Sequence, residues 1–309
     1  MASSRSTHAA EVRDALVTTE AREVSPSLAG VGFRTHPLRF DQQADSGVLL
    51  RPAEEFLISS RNTRHDRETQ LSVVHYFTDP VTLALAQASR GPHDGSARVP
   101  LPPAAPPDVS LAQAIASRRS SRDFGPAPLP LAALATALRY GDSESAEVSA
   151  RLENGDEVPL RLRATPSAGG LYPVEVWIAA RNVASLGRGV HRYLPGEDAL
   201  EEWAGSDALD RLLAACTDVN GDDLAGTAGA LLLFVAKPWR SMRKYGPRGL
   251  RFVLHEAGGI AQNIHLTAAA LDLASLDYSG FFDDEVHQAL GIDGIYHAVV
   301  HTLLLGPHA

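Results

Sequence analysis

RSMRKYGPRGLRFVLHEAGGIAQNIHLTAAALDL, residues 240–273, is the stretch around which this chain is organised. Five of its first twelve residues are basic: Arg240, Arg243, Lys244, Arg248 and Arg251. A long run follows in which Phe252, Leu254, Ala257, Ile260, Ala261, Ile264, Ala268 and Leu271 recur mostly three or four positions apart. That period predicts a helix with a single apolar stripe. From Arg251 to Leu273 it would run for about 34 Å, long enough for most of a core to pack on it. Gly258 and Gly259 in its middle cost roughly 1 kcal/mol each, a penalty that close approach of another helix or of a cofactor would explain. A plain core helix behind a solvated basic loop accounts for the same residues equally well.

Composition sets the outer bounds. The chain has 309 residues, a formal net charge of −9, 44% hydrophobic residues and 21% charged ones. Such a chain suits one large or two modest globular domains. Its acidic balance argues against a general nucleic-acid surface, which needs excess Lys and Arg. No apolar run approaches the roughly 18–20 residues required to cross a bilayer. The opening MASSRSTHAAEVRDALV lacks an apolar signal core, so a cytoplasmic location is expected. Cys216 is the only cysteine, which rules out an intrachain disulfide and argues against a cysteine-based metal cluster. It lies in DRLLAAC, on the apolar side of a predicted helix, and reads as packed.

Residues 1–30 carry no firm period, and 31–100 offer only a helix start near Pro52 and the short apolar run VTLALAQAS. PLPPAAPP at 100–107 holds five prolines in eight residues and reads as an extended connector. The main domain boundary is placed there, with 1–107 as an N-terminal extension and 108–309 as the principal domain. Asp108 is expected to cap a helix over Val109–Arg119. A second helix starts near Pro130 and is stopped by Gly141. Residues 147–163 alternate around Asn154-Gly155, a hairpin signal. Strands are expected at VEVWIAA, within GVHRYLPGEDALEEW, at GALLLFVAK (229–237) and at IYHAVVHTLLLG, with helices over Ala208–Cys216 and in FFDDEVHQALGI. The class is α+β: four or five strands clasped by helices.

Three places could carry chemistry. In SRRSSRDF, Arg118, Arg119, Ser120 and Arg122 put guanidinium forks and a hydroxyl where a helix ends. Such a set suits a phosphate and the polyol beside it, although arginines are also common at helix C-termini. In PSAGGLYP, the small residues between Pro166 and Pro173 could lie flat against a planar ring, or could simply turn the chain into a strand. In Lys244-Tyr245, neighbouring arginines would depress the lysine pKa and make it a better base, with the phenol as donor; an ordinary surface pair fits as well. There is no G-x-G-x-x-G after a strand and no G-x-x-x-x-G-K-[ST]. Of the 12 histidines, His255 precedes Glu256 but Gly259 stands where a second ligand would be needed, so no metal site is expected.

Together, R-R-S-x-R-x-F at 118–124, PSAGGLYPVEVWI at 166–178, KYGPRGLRF at 244–252, EAGGIAQNIHLTAAALDL at 256–273 and SGFFDDEVHQALGI at 279–292 resemble the nitroreductase superfamily. They resemble most its SagB-type peptide dehydrogenase branch, over residues 108–306. The resemblance implies an α+β flavin domain with a mostly antiparallel sheet, non-covalent FMN, and a homodimer with flavins at the subunit interface. It implies oxidation of thiazolines or oxazolines to thiazoles or oxazoles in a ribosomally made precursor peptide. A cyclodehydratase or leader-recognition protein would be the partner, and neither nucleic acid nor membrane is involved. Arg118, Ser120 and Arg122, with Arg119, match the phosphate and ribityl contacts. Pro166, Ser167, Ala168 and Gly169 match the loop beside the isoalloxazine, and Gln262, Asn263, Ser279 and Gly280 fall in pocket-shaping blocks. Lys244 and Tyr245 match the pair regarded as catalytic in azoline oxidation. Nitroreductases of quinones and nitroarenes carry P-S-x-x-N-x-Q-P, whereas this chain has Gly170 and Tyr172 at the Asn and Gln positions. The departure speaks against a quinone or nitroarene reductase and fits the peptide-modifying branch. Two alternatives remain: an NAD(P)H-dependent flavin reductase of a small electrophile or dehydroamino acid, and a non-catalytic peptide-binding scaffold subunit, which the intact arginine and lysine-tyrosine blocks disfavour.

Overall fold

The computed structural model describes residues 25–26, 33–34, 51–62, 71–73, 96–104, 106–151, 155, 157–216 and 223–309. The expected helix start near Pro52 falls among them; VTLALAQAS lies outside. The chain divides into two compact units, 1–66 and 67–309. In the first, β1 (Ser25–Pro26) pairs antiparallel with β2 (Phe33–Arg34), and α1 spans Arg51–Ser59.

In the second unit the elements run β3 (Arg98–Pro100), α2 (Leu111–Ser117), α3 (Leu131–Asp142), β4 (Glu144–Arg151), β5 (Glu157–Arg163), β6 (Val174–Ala180), β7 (Gly189–Leu194), β8 (Ala199–Ala204). Then follow α4 (Ser206–Ala214), β9 (Ala230–Ala236), α5 (Pro238–Tyr245), α6 (Gly249–Ala270), β10 (Leu273–Tyr278), α7 (Asp283–Leu290) and β11 (Ala298–Pro307). The strands β10-β11-β9-β6-β7-β8-β3 form one sheet in that order, every neighbouring pair antiparallel. The sheet has seven strands rather than four or five: the edge strand Arg98–Pro100 is too short to show a period in sequence, GVHRYLPGEDALEEW folds as two strands, and the long helix ends at Ala270 so that Leu273–Tyr278 forms a strand of its own. The β4–β5 hairpin stands as a separate two-stranded ribbon, turning near Gly155.

Helices cover both faces of the sheet, and the strand sequences show why. Along β9, Ala230, Leu232, Phe234 and Ala236 enter one core with Leu134 and Leu138 of α3 and Val253, Ala257, Ile260 and Ile264 of α6. Leu231, Leu233 and Val235 point the other way, into a second core with Leu209 and Leu212 of α4 and Val286 and Leu290 of α7. A strand buried on both sides has no polar face, so its sequence is continuously apolar. Each such large apolar side chain contributes roughly 1.5–3 kcal/mol on burial.

Several boundaries differ from expectation for local reasons. The first helix starts later, because Ser110 rather than Asp108 is the cap: it accepts from the Gln113 amide while Gln113 Oε1 accepts from the Ser110 amide. Gly141 does not stop α3, which continues to Asp142. A Cβ at Gly141 would sit 2.8 Å from Ile264 Cγ1, so the residue is small because α6 passes directly behind it. The basic segment is not a solvated loop. It forms its own helix, α5, in which Arg240, Ser241 and Lys244 are buried.

The β3 edge of the sheet is held through alternate residues. The Glu202 amide donates to the Ala97 carbonyl, and the Leu101 amide donates to the Asp198 carbonyl. Among the described residues, no helix is long and apolar enough to cross a membrane.

Gly141→Ala should destabilise the protein by about 1–3 kcal/mol through overpacking. The checking measurement is a double-mutant cycle in urea: Ile264→Ala should cost less in the Gly141→Ala background than in the wild type.

Candidate functional site

The glycine loop between β5 and β6 lies against α5. Ala168–Gly170 form a single 3₁₀ turn in which Gly169 has φ +67° and Gly170 φ +65°. At Gly169 a Cβ would lie 2.6 Å from the Tyr245 hydroxyl and 2.7 Å from Lys244 Nζ, so a side chain would have to displace both tips, on a backbone conformation that already disfavours one. At Gly170 a Cβ would meet nothing within 4 Å. The loop therefore presses on Lys244-Tyr245 at one residue and leaves open space at the next.

Burial sets the chemistry of the pair. Lys244 is only 1% exposed, and desolvation lowers its pKa to about 8. The expected cause was charge from neighbouring arginines; burial is what acts here. Burial raises the Tyr245 pKa, which keeps the phenol protonated and able to donate. Lys244 Nζ lies 5.3 Å from the Tyr245 ring centroid, and the Phe252 ring meets Tyr245 edge-on at 5.0 Å.

Polar bonds from the long helix hold the loop. Thr165 Oγ1 donates to the Gly141 carbonyl at 2.7 Å and accepts from Asn263 Nδ2 at 3.0 Å, which anchors the chain just before Pro166. Gly259 permits this approach, since a Cβ there would lie 2.9 Å from Thr165 Cγ2; Gly258 faces open space. Glu256 is buried on the same helix, and its Oε1 accepts from the Val174 amide at 3.1 Å. The Ser167 hydroxyl accepts from the Tyr172 amide at 2.9 Å. Tyr172 itself is buried at φ +45°, its hydroxyl accepting from the Arg163 amide at 2.9 Å. Arg163 pairs with buried Asp142 at 2.7 Å.

The arginine loop is laid along the β10 edge of the sheet. Ser120 pairs with Ser275 of β10, the Ser121 amide donates to the Ser275 carbonyl at 3.1 Å, and Phe124 pairs with His308. Arg122 then lines an open cleft of about 550 Å³ with Ser279, Gly280, Asp277 and Asp223. Arg118 caps α2 and is half-buried, and among the described residues neither Arg118 nor Arg122 has an ion-pair partner. Arg119 is turned back on its own chain, donating to the carbonyls of Ala116 and Arg118 at 2.9 and 2.7 Å.

Within one chain, the structure thus makes two clusters of the sequence-derived residues. Gly169, Lys244 and Tyr245 touch, with Pro166, Ser167 and Ala168 on the loop and Asn263 behind it; Arg122, Ser279 and Gly280 share the cleft, with Ser120 bound to its flank. Gln262 is exposed on α6. Sequence reading missed Glu256, Thr165 and the Asp142–Arg163 pair. Glu256 lies inside a quoted block, four residues before Ile260 on the apolar stripe, and a carboxylate at a core position was the available signal.

The fold and these clusters define a flavin-associated oxidoreductase class, and the chain belongs to the nitroreductase family, whose profile matches residues 115–306. Members of that family commonly bind FMN. Within it the chain resembles the SagB/McbC-like branch. It is 31% identical over 138 residues to the Microcin B17-processing protein McbC of Escherichia coli, a match covering 42% of this chain and 49% of McbC. It is 30% identical over 191 residues to MJ1384 of Methanocaldococcus jannaschii, a protein named for the nitroreductases, covering 60% of this chain and 86% of that one. The crystal structure of reut_a1228 from Ralstonia eutropha, named for the same family, superposes with a TM-score of 0.54 at 22% identity, covering 69% of this chain and 90% of that one, and so shares the fold.

Gly169→Ala and Gly170→Ala should each cost about 1–2 kcal/mol for a left-handed backbone, and Gly169→Ala should cost more because it also displaces Lys244 and Tyr245. Urea midpoints of the two variants make the comparison. A second expectation concerns pH. Burial raises Asp142 to about 6 and Glu256 to about 7, above the ordinary carboxyl values near 4. Their uncharged forms favour the fold, so the stabilisation is complete below about 4 and lost as pH rises through about 6 and 7. Relative to wild type, Glu256→Gln should therefore gain about 3 kcal/mol of stability between pH 4 and pH 8.

Proposed function

We propose that the chain is an FMN-dependent dehydrogenase that oxidises thiazoline or oxazoline rings of a ribosomally made peptide to thiazoles or oxazoles. The observation that carries this reading is the contact of Gly169 with a buried, pKa-lowered Lys244 and a protonated Tyr245. A general base working near neutrality needs a pKa near the operating pH, and this amine has one.

The residues fit FMN by the chemistry of the donors. Two guanidinium groups without carboxylate partners, beside the Ser120 hydroxyl, suit a phosphate and a polyol. Gly169 and Gly170 present backbone without side chains, as the face of a planar ring requires. When bound, FMN would accept two electrons as hydride from the azoline carbon adjacent to the acidic Cα. Lys244 takes the Cα proton, and Tyr245 donates a hydrogen bond that steadies the ring as it loses charge symmetry. Loss of one proton and one hydride leaves the aromatic azole, so the step balances.

Gly170 supports a bulky substrate, since it leaves space where quinone and nitroarene reductases place Asn. Tyr172, at their Gln position, is committed to the Arg163 amide and is not a substrate contact. Exposed Val109, Leu111, Ile115 and Leu254 on and beside α2 and α6 suit a second copy of the chain, so the working unit in this reading is a homodimer whose partner brings its glycine loop toward the arginine cleft. The substrate is a precursor peptide already cyclised by a cyclodehydratase, with residues 1–107 available for peptide recognition.

Purified protein should absorb in the flavin region, and Arg122→Ala should weaken FMN binding about tenfold to a hundredfold. With an azoline peptide, the turnover rate should rise with pH through about 8 as Lys244 loses its proton. Lys244→Ala should lower kcat by about a hundredfold or more and abolish that rise. Wild-type turnover by FMN-loaded Lys244→Ala and Tyr245→Phe would refute the assignment, and rapid bleaching by NADPH without azoline turnover would favour the flavin reductase alternative.

A further inference from the structure

We propose that the cavity where α5 meets the ends of β5, β6 and β7 is a subsite for a primary carboxamide, the side chain of an asparagine or glutamine on the peptide substrate, held by Tyr193 and Asp142. The carboxamide chemistry stands on this chain's own residues; only its assignment to the substrate peptide rests on the proposed reaction.

The cavity measures about 210 Å³ and is walled by Arg163 of β5, Glu175 of β6, Arg192 and Tyr193 of β7, Arg240 of α5 and Asp142 at the end of α3. Pockets for drug-sized ligands run from about 300 Å³ upward, so this one has the size of a single side chain rather than of a ring system. Its wall is charged, but the charges face each other. Asp142 and Glu144 pair with Arg163 and Arg161 at 2.7 and 3.1 Å, and Arg192 pairs with Glu201 at 2.7 Å. Glu175 and Glu197 pair with Lys237 and Arg98. An anion entering here would meet carboxylates and a cation would meet guanidinium groups, so a wall compensated in this way favours a neutral polar guest.

Two buried atoms on that wall say which one. Among the described residues, the Tyr193 hydroxyl and Asp142 Oδ1 have no hydrogen-bond partner, and their residues are 2% and 1% exposed. Buried polar atoms are normally bonded, and leaving one without a partner is destabilising. Burial, and after it the charges of Asp198 and Asp142, hold the Tyr193 phenol above its ordinary value, so it keeps its proton and can donate. The Asp142 carboxyl, pushed up to about 6 by burial, is ionised at neutral pH and accepts. One donor and one acceptor are therefore offered from the side of the sheet where α3 and the Tyr193 ring share a core. A trans peptide unit points its N–H and C=O in opposite directions, whereas a primary carboxamide shows both along one edge. Its carbonyl would accept from Tyr193 while its amino group donates to Asp142 Oδ1.

The place of the cavity gives the source of that group. Arg240 comes four residues before Lys244, so these two buried side chains occupy neighbouring turns on one face of α5, about 6 Å apart along its axis. An extended peptide covers that distance in about two residues. A ring presented to Lys244 would bring a side chain one or two positions away to the cavity.

The test needs neither flavin chemistry nor an azoline. Isothermal titration of the full-length protein with a capped Gly-Gln-Gly peptide, and with its Glu and Leu counterparts, reads the preference. The Gln peptide should bind the wild type at least about tenfold more tightly than either counterpart. Tyr193→Phe should erase that preference and leave the urea midpoint unchanged or higher, because the hydroxyl it removes has no partner among the described residues. Equal binding of the three peptides by the wild type, as a cavity that takes only water would give, overturns the inference. An unchanged preference in the folded Tyr193→Phe protein overturns it as well. Free L-glutamine should bind at least about tenfold more weakly than the Gln peptide, and equal affinity would overturn the assignment to a peptide. Failure of azoline oxidation with the glutamine preference intact would instead count against the proposed reaction and leave the subsite standing.

Discussion

The close approach of α6 to the loop between β5 and β6 is the constraint on which the rest of the second unit depends. Two glycines make it possible from opposite sides. Gly141 lets α3 pass against Ile264, and Gly259 lets Thr165 of the loop reach the helix surface. With side chains at either position, the helix would stand off, and the bonds from Asn263 and Glu256 to the loop would lengthen beyond hydrogen-bond reach. The apolar stripe of α6 supplies the cohesion, while these few polar bonds decide where the loop lies on it.

Much of the fold was legible because its signals are periodic. The continuous apolar run of β9 and the three-and-four spacing of α6 each reflect burial on defined faces. Where signals were local and chemical, reading slipped by a residue or two: Asp108 and Ser110 are both good caps, and only the reciprocal bond with Gln113 selects the second. Gly141 read as a stop because a glycine after a helical run usually is one, and nothing in a single sequence says that Ile264 stands behind it. The strand count fell short at Arg98–Pro100, too short to show a period at all, at Ala199–Ala204, and at Leu273–Tyr278, which follows the long helix after only two residues.

The candidate site divides along the same line. Lys244-Tyr245, the glycine loop and the arginine cluster were visible as short motifs. Their environment was not, since burial is a property of the whole packing. The lysine's lowered pKa comes from desolvation, whereas the sequence offered only its charged neighbours as a cause. Buried polar partners far apart in sequence were equally hidden. Arg192 bonds Glu201 at 2.7 Å across neighbouring strands, and Lys237 pairs with Glu175 at the ends of two others. Each of these reads from sequence as an ordinary surface charge. Cys216 was read as packed; it is buried, with its thiol pushed up to about 12.

The edge strand β3 bears on how a peptide could be captured. Ala97 and Leu101 spend their backbone groups on β8, so the alternate residues Arg98 and Pro100 face outward. Proline has no amide hydrogen, which leaves Arg98 as the one donor on that rim of the strand. An incoming extended chain would find one amide donor missing from the rim, which weakens its pairing as an eighth strand there. Whatever docks along this rim has to be gripped mainly by its side chains.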